Sequence, residues 1–155
     1  MSEMNDKVIA IGIDPGRDGS LAIQWPRYRL RPFGEECVIV KPYDKDEYVK
    51  ALEPVTTEML QGTKVVCVVE HVGAMPGQGS VSMFHFGENF GWIQGVLDTM
   101  RVPYELVRPQ KWKKEFSCTS DKNTSIAVAK RLFPTVDLRR TARCKGPHDG
   151  ICEAL

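Results

Sequence analysis

No apolar run in this 155-residue chain approaches the roughly 20 residues a helix needs to cross a bilayer, so a membrane partner is not expected. Residues 1–7 are short and polar and read as neither a signal nor a transit peptide. The five cysteines are odd in number and form no C-x-x-C pair. Neither a disulfide framework nor a structural zinc is expected from them, and a reducing compartment fits better. His71, His85 and His148 are too scattered for a zinc cluster. Repeats and low-complexity tracts are missing as well. What remains is the composition of an ordinary globular chain, 42% hydrophobic and 26% charged, expected to form one domain over 1–155.

The net charge of +1 conceals an asymmetry. Residues 1–100 carry 9 Lys and Arg against 14 Asp and Glu, whereas residues 101–155 carry 12 against 6. A basic final third is consistent with a polyanionic partner, although halves of opposite sign also arise by chance.

Residues 7–14 (KVIAIGID) read as a buried strand, residues 20–25 as a second, and residues 36–41 (ECVIVK) as a third. Short connections predict an antiparallel meander. A helix is predicted over 44–60, with Asp44 as N-cap and a kink at Pro54. Residues 64–70 (KVVCVVE) are apolar on both faces, as in a central parallel strand. After the loop 73–80 a helix is predicted over 83–100, with Phe86, Phe90, Ile93 and Leu97 on one face. Gly87, Gly91 and Gly95 recur along it at a cost of about 1 kcal/mol each relative to alanine. That ridge predicts close approach of another backbone, in the core or across a dimer. A strand over 103–107, a short helix or turn over 109–116, a helix over 121–132 and a last helix over 148–155 complete the order βββαβαβα…α.

Two carboxylates end predicted strands: Asp14, before the turn Pro15–Gly16, and Glu70. Sites in open α/β sheets form outside such strand ends. If the two strands are neighbours, the carboxylates face one another and repel. A divalent cation resolves that conflict, and hard oxygen donors without a His or Cys cluster favour Mg²⁺ or Mn²⁺ over zinc. Asp149 and Glu153 are four apart on the last predicted helix and share a face. Together the four are able to hold two metal ions for in-line phosphodiester cleavage. Taken singly, each has a plainer reading: Asp14 as a turn residue, Glu70 as a solvated strand end, Asp149 as an N-cap. Asp18 reads as a turn residue only.

The ordered set "IGIDPGRDGSLAI", "VVCVVEHV", "FHFGENFGWIQGVL", "VRPQKWKKEF", "DKNTSIAVAKRLFP" and "HDGICEAL" resembles the RuvC-like Holliday junction resolvases over almost the whole chain. Within that family it is most similar to the phage and organellar (chloroplast-type) branches. The resemblance implies an RNase H-like α/β fold: a five-stranded mixed sheet, three antiparallel strands then two parallel, flanked by helices. It also implies a homodimer that nicks four-way DNA junctions symmetrically with two Mg²⁺ or Mn²⁺ per site. Asp14, Glu70, Asp149 and Glu153 would be the ligands, with Asp14 shared between the metals. The last pair is four apart, where the bacterial pattern has three, which leaves the second metal's ligand open. Lys113 and Lys122 match positions that contact phosphates, with surface lysine as the alternative. Lys111, Lys114, Arg139, Arg140, Arg143 and Lys145 form a group able to follow a DNA backbone. Gln78, Met83 and Phe84 fall where the family meets the junction centre, with core packing the alternative for Phe84. Trp92 and Trp112 read as packing residues, and His71 as a neighbour of the site. The resemblance implies a longer last helix, so the chain is expected to be cut short near Leu155. The expected location is the cytoplasm (a host's, for a phage chain), with an organelle matrix as the alternative.

Three other readings stand beside this one. Actin-like kinases open with a similar strand–Asp–x–Gly turn but need a second domain and a second phosphate loop, which this chain lacks. A related nuclease acting on flaps or other branched DNA would share the same core. A junction-binding protein without activity would follow if Asp149 and Glu153 were misplaced.

Overall fold

Ile9, Ile11 and Ile13 alternate with Ala10 and Gly12 along β1 (Val8–Ile13), so one face of this strand is wholly apolar and the other is nearly bare of side chain. That asymmetry organises the molecule. The computed structural model describes residues 8–17, 19–26, 37–40, 44–71, 73–74 and 76–155. Around β1 the sheet runs β3-β2-β1-β4-β5. β2 (Leu21–Gln24) pairs antiparallel with β1, and β3 (Cys37–Val40) antiparallel with β2. β4 (Lys64–Glu70) pairs parallel with β1, and β5 (Tyr104–Val107) parallel with β4. The fold is thus α/β, a mixed sheet flanked by helices. Residues 36 and 41, expected at the ends of the third strand, and Asp18 and Met75 lie outside the described residues.

The isoleucine face is covered by α1 (Lys45–Leu60) and α2 (Ser80–Thr99), whose Leu52, Val55, Ile93 and Leu97 join Ile9, Ile11, Ile13, Cys67 and Val69 in the main core. Each such fully buried aliphatic side chain contributes about 1.5–3 kcal/mol. Asp44 caps α1 by accepting from the Glu47 amide at 3.1 Å, and the helix runs through Pro54. α2 starts three residues earlier than the periodicity predicts, because the loop residues Ser80–Ser82 continue its turns. Among the described residues, no helix is long and apolar enough to cross a membrane.

The opposite face receives α4 (Lys122–Leu132) and the short α5 (Asp149–Ala154), which share a second core of Ala129, Leu138, Ile151 and Cys152. α5 lies against β1 because Gly12 has no side chain: a Cβ there would fall 1.8 Å from the Ala154 carbonyl oxygen. β4 departs from its sequence reading on this side. Cys67 and Val69 are buried, but Val66 is 43% exposed, since α5 shields only part of this face. α3 (Pro109–Glu115) follows β5, with Pro109 in its first turn, where a missing amide hydrogen costs nothing.

The glycine ridge of α2 also differs from expectation within the chain. A Cβ built on Gly87, Gly91 or Gly95 meets nothing within 4 Å, so no backbone of this chain's described residues approaches there. The ridge lies on the exposed side of α2.

Candidate active site

The strand register brings the first two carboxylates together. β1 and β4 run parallel with Ile13 opposite Val69, so the next pair in line is Asp14 and Glu70. Alternation places both on the face that carries Gly12 and α5, opposite the isoleucine core. The turn after β1 encloses Asp14 tightly. Its carboxylate accepts from the Gly16 amide at 2.9 Å, and its own amide donates to the Ser20 carbonyl at 3.0 Å. Gly19 is required there, since a Cβ would stand 2.1 Å from the Asp14 carbonyl oxygen and 2.8 Å from its carboxylate carbon. Two long-range bonds fix the turn to its surroundings. The buried Ser20 hydroxyl donates to the Gly150 carbonyl of α5 at 3.0 Å, and the Asn89 amide of α2 to the Pro15 carbonyl at 2.9 Å.

Burial pushes the Asp14 carboxyl up to about 7, against a pull down from the Gly16 amide, and the charges of Glu70, Glu153 and Asp149 push the same way as burial. Burial also raises Glu70; a hydrogen bond from Trp112 opposes it, Glu153 adds to it, and Lys113 opposes it. Asp14 therefore feels the charge of each of the other three predicted carboxylates, and Glu70 that of Glu153.

Lysines sit on the outer two. Lys122, from the first residue of α4, hydrogen-bonds Asp149. Burial raises Asp149, but this bond and the lysine charge outweigh it and hold the carboxyl below its usual range. Lys113 Nζ lies 3.4 Å from Glu153 Oε1, and the buried Ser125 hydroxyl donates to that same oxygen at 3.3 Å. Among the described residues no three His, Cys, Asp or Glu side chains are gathered tightly enough to hold a metal ion as they stand. Two of the four predicted carboxylates instead carry lysines, Lys122 on Asp149 and Lys113 on Glu153. The donor set itself, four hard carboxylates with no imidazole or thiolate, suits Mg²⁺ or Mn²⁺.

Several side chains depart from their sequence reading. Trp112 is not simply a packing residue: its indole Nε1 donates to Glu70 Oε1 at 2.9 Å. The signal was a single indole, with its polar edge, in a helix otherwise rich in lysine. Ser125 was missed too, although a hydroxyl on the buried stripe of α4 needs a partner. Asp149 is not the N-cap of α5; His148 occupies that position and makes no side-chain cap bond. Phe84 is 66% exposed, so its core alternative falls. Trp92 does pack, edge-on to Tyr48 at 5.9 Å, and His71 stacks on Phe90 beside the site.

The remaining predicted contacts are dispersed. Gln78 is exposed and Met83 half-buried near the start of α2, and Lys111 and Lys114 are exposed on α3. Arg139, Arg140, Arg143 and Lys145 lie exposed between α4 and α5, with Arg139 held by Asp137 at 2.8 Å. An apolar groove of about 420 Å³ opens beside Glu70 and Glu153, lined among others by Val66, Val68, Trp112, Phe116 and Leu132.

No protein-family model matches the chain, and no curated protein matches it by sequence. Solved structures do. The fold is that of the RuvC resolvases: the chain is similar to T. thermophilus RuvC in complex with Holliday junction substrate, at 14% identity and TM-score 0.53, over 95% of this chain and 87% of that one. It is likewise similar to the Thermus thermophilus RuvC structure, at 16% identity and TM-score 0.51, over 94% and 90%.

Proposed function

We propose that this chain is a divalent-metal-dependent endonuclease that resolves four-way DNA junctions by paired symmetric nicks, acting as a homodimer. The observation that carries the reading is Asp14: a carboxylate enclosed at a strand end, raised to about 7 by burial, whose charged neighbours Glu70, Glu153 and Asp149 are all acidic. A site that gathers repelling carboxylates is incomplete without a cation. The likeness to a protein captured with a Holliday junction substrate supports branched DNA as the partner.

Asp14, Glu70, Asp149 and Glu153 would hold two Mg²⁺ or Mn²⁺ ions. When bound, such ions supply an activated water and charge stabilisation at the leaving oxygen. The rest falls to the chain. Lys122 and Lys113, each already on a carboxylate of the site, are placed to turn to phosphate oxygens once those carboxylates are otherwise neutralised. The exposed basic group of α3 and of the segment before α5 tracks the DNA arms, and Gln78, Met83 and the exposed Phe84 meet unpaired bases at the junction centre.

The test compares four-way, three-way and flap DNA with Mg²⁺ or Mn²⁺ present. Paired nicks at symmetric positions in the four-way substrate are expected. Equal or faster cutting of flaps would assign a broader branched-DNA nuclease, and junction binding without any cutting would assign a binding protein.

A further inference from the structure

We propose that Trp112 is a positioning residue that sets the orientation of the Glu70 carboxylate for a divalent cation. The inference rests on the metal-dependent reading above and names a residue that reading does not require.

Glu70 ends β4 on a flexible two-methylene stem, and the Glu153 charge repels it. Left alone, its carboxylate would sample several rotamers. The Trp112 indole removes that freedom: Nε1 donates to Oε1 at 2.9 Å, and Oε2 has no hydrogen-bond partner among the described residues. One oxygen is therefore tied to the protein, which leaves the other for a cation.

The chemistry of the donor matters. Indole N–H is neutral and donates only, so it can neither ligate a metal nor take its place. A lysine at the same spot would orient Glu70 equally well but would repel the incoming cation. Lysines contact Asp149 and Glu153, and the Lys113 charge also reaches Glu70, but the hydrogen bond that orients Glu70, the carboxylate whose strand lies beside that of Asp14, comes from an indole. Trp112 is itself fixed: it is half-buried on α3, and the next residue, Lys113, reaches Glu153 while its Nζ stands 5.1 Å from the indole centroid. Adjacent residues of one short helix thus hold carboxylates from β4 and α5.

The test measures Mn²⁺ binding by electron paramagnetic resonance in the full chain for wild type, W112F, E70A, W112F/E70A and D14N. W112F is expected to weaken binding about 10–100-fold, and to add nothing once Glu70 is gone. A wild-type affinity in W112F, or an undiminished effect in the E70A background, overturns the proposal on its own. Mn²⁺ binding indifferent to both D14N and E70A would overturn the metal-site reading and this proposal with it. Should W112F not fold, the unsubstituted residue still reports: the Trp112 indole ¹H–¹⁵N resonance is expected to move in E70A, and a resonance that stays in place overturns the proposal.

Discussion

Gly12 of β1 lies under the main chain of α5, where a Cβ would stand 1.8 Å from the Ala154 carbonyl oxygen and 2.9 Å from its carbon. Backbone on both sides leaves no flexible side chain to give way. Gly12→Ala is therefore expected to displace α5, cost about 1–3 kcal/mol, and carry Glu153 away from Asp14. Thermal denaturation and nicking assays together check this. A variant that nicks at the wild-type rate would show that α5 need not rest on β1.

Asp14→Asn separates catalysis from folding. Nicking is expected to fall about 100-fold or more, while four-way junction binding persists. Stability is expected to rise, because the substitution removes a buried charge repelled by its neighbours. A retained nicking rate would sink the metal-centre reading.

The same residue sets a pH dependence in the metal-free chain. The Asp14 carboxyl is ordinarily half-protonated near 3.8 and here near 7. Between those values the folded chain keeps a proton that the unfolded chain has released. Stability contributed by Asp14 therefore falls as pH rises from about 4 to about 7 and is level above that. Glu70, also raised, acts in the same sense; Asp149, held low, acts oppositely, its contribution being lost as pH falls below the ordinary carboxylate range. Melting curves in chelator should show the decline, by up to a few kcal/mol, and D14N should flatten it. Added Mn²⁺ should restore stability above pH 7 in wild type and not in D14N.

Lys122→Met probes the lysine on Asp149. The ammonium side is 72% exposed, so its loss should cost under about 1 kcal/mol of stability. Nicking should nevertheless fall at least about tenfold if Lys122 serves as the proposed phosphate contact. Mn²⁺ affinity should hold or improve, because a competing cation has gone. Weaker Mn²⁺ binding in this variant would contradict the role given to Lys122.

Gly91→Leu tests the homodimer. Nothing in the described chain lies within 4 Å of a Cβ at Gly87, Gly91 or Gly95. The substitution should therefore leave the protomer folded, and alanine there should add up to about 1 kcal/mol to helix stability. If a second copy packs on this ridge, sedimentation will show a shift toward monomer. A dimeric mass left unchanged would place the contact elsewhere, and a wild-type chain that sediments as a monomer would remove the proposed homodimer.

The elements themselves were legible because they rest on short-range pattern. The apolar runs 7–14 and 64–70 and the Asp44 cap state their local conformation directly, whereas the Asp121 cap of α4 emerged only in the structure. Asp14 and Glu70 could be marked as strand-end carboxylates for the same reason. The electrostatics could not be read there, since burial and mutual repulsion follow from which strands are neighbours.

By itself, the sequence determined the order of strands and helices, the acidic residues at two strand ends and on the last helix, and the basic final third. Tertiary structure alone decided what touches those carboxylates. Trp112 lies 42 positions from Glu70 and Ser125 lies 28 from Glu153, and no periodicity announces a hydrogen bond across such distances. It also decided what the glycines do. Gly12 and Gly19 are required by backbone at 1.8 and 2.1 Å, while the three glycines of α2, conspicuous in sequence, face nothing within the described chain. A local pattern reports the conformation a residue prefers; which distant atom fills the space beside it depends on how the parallel strands pair and where α5 comes to rest.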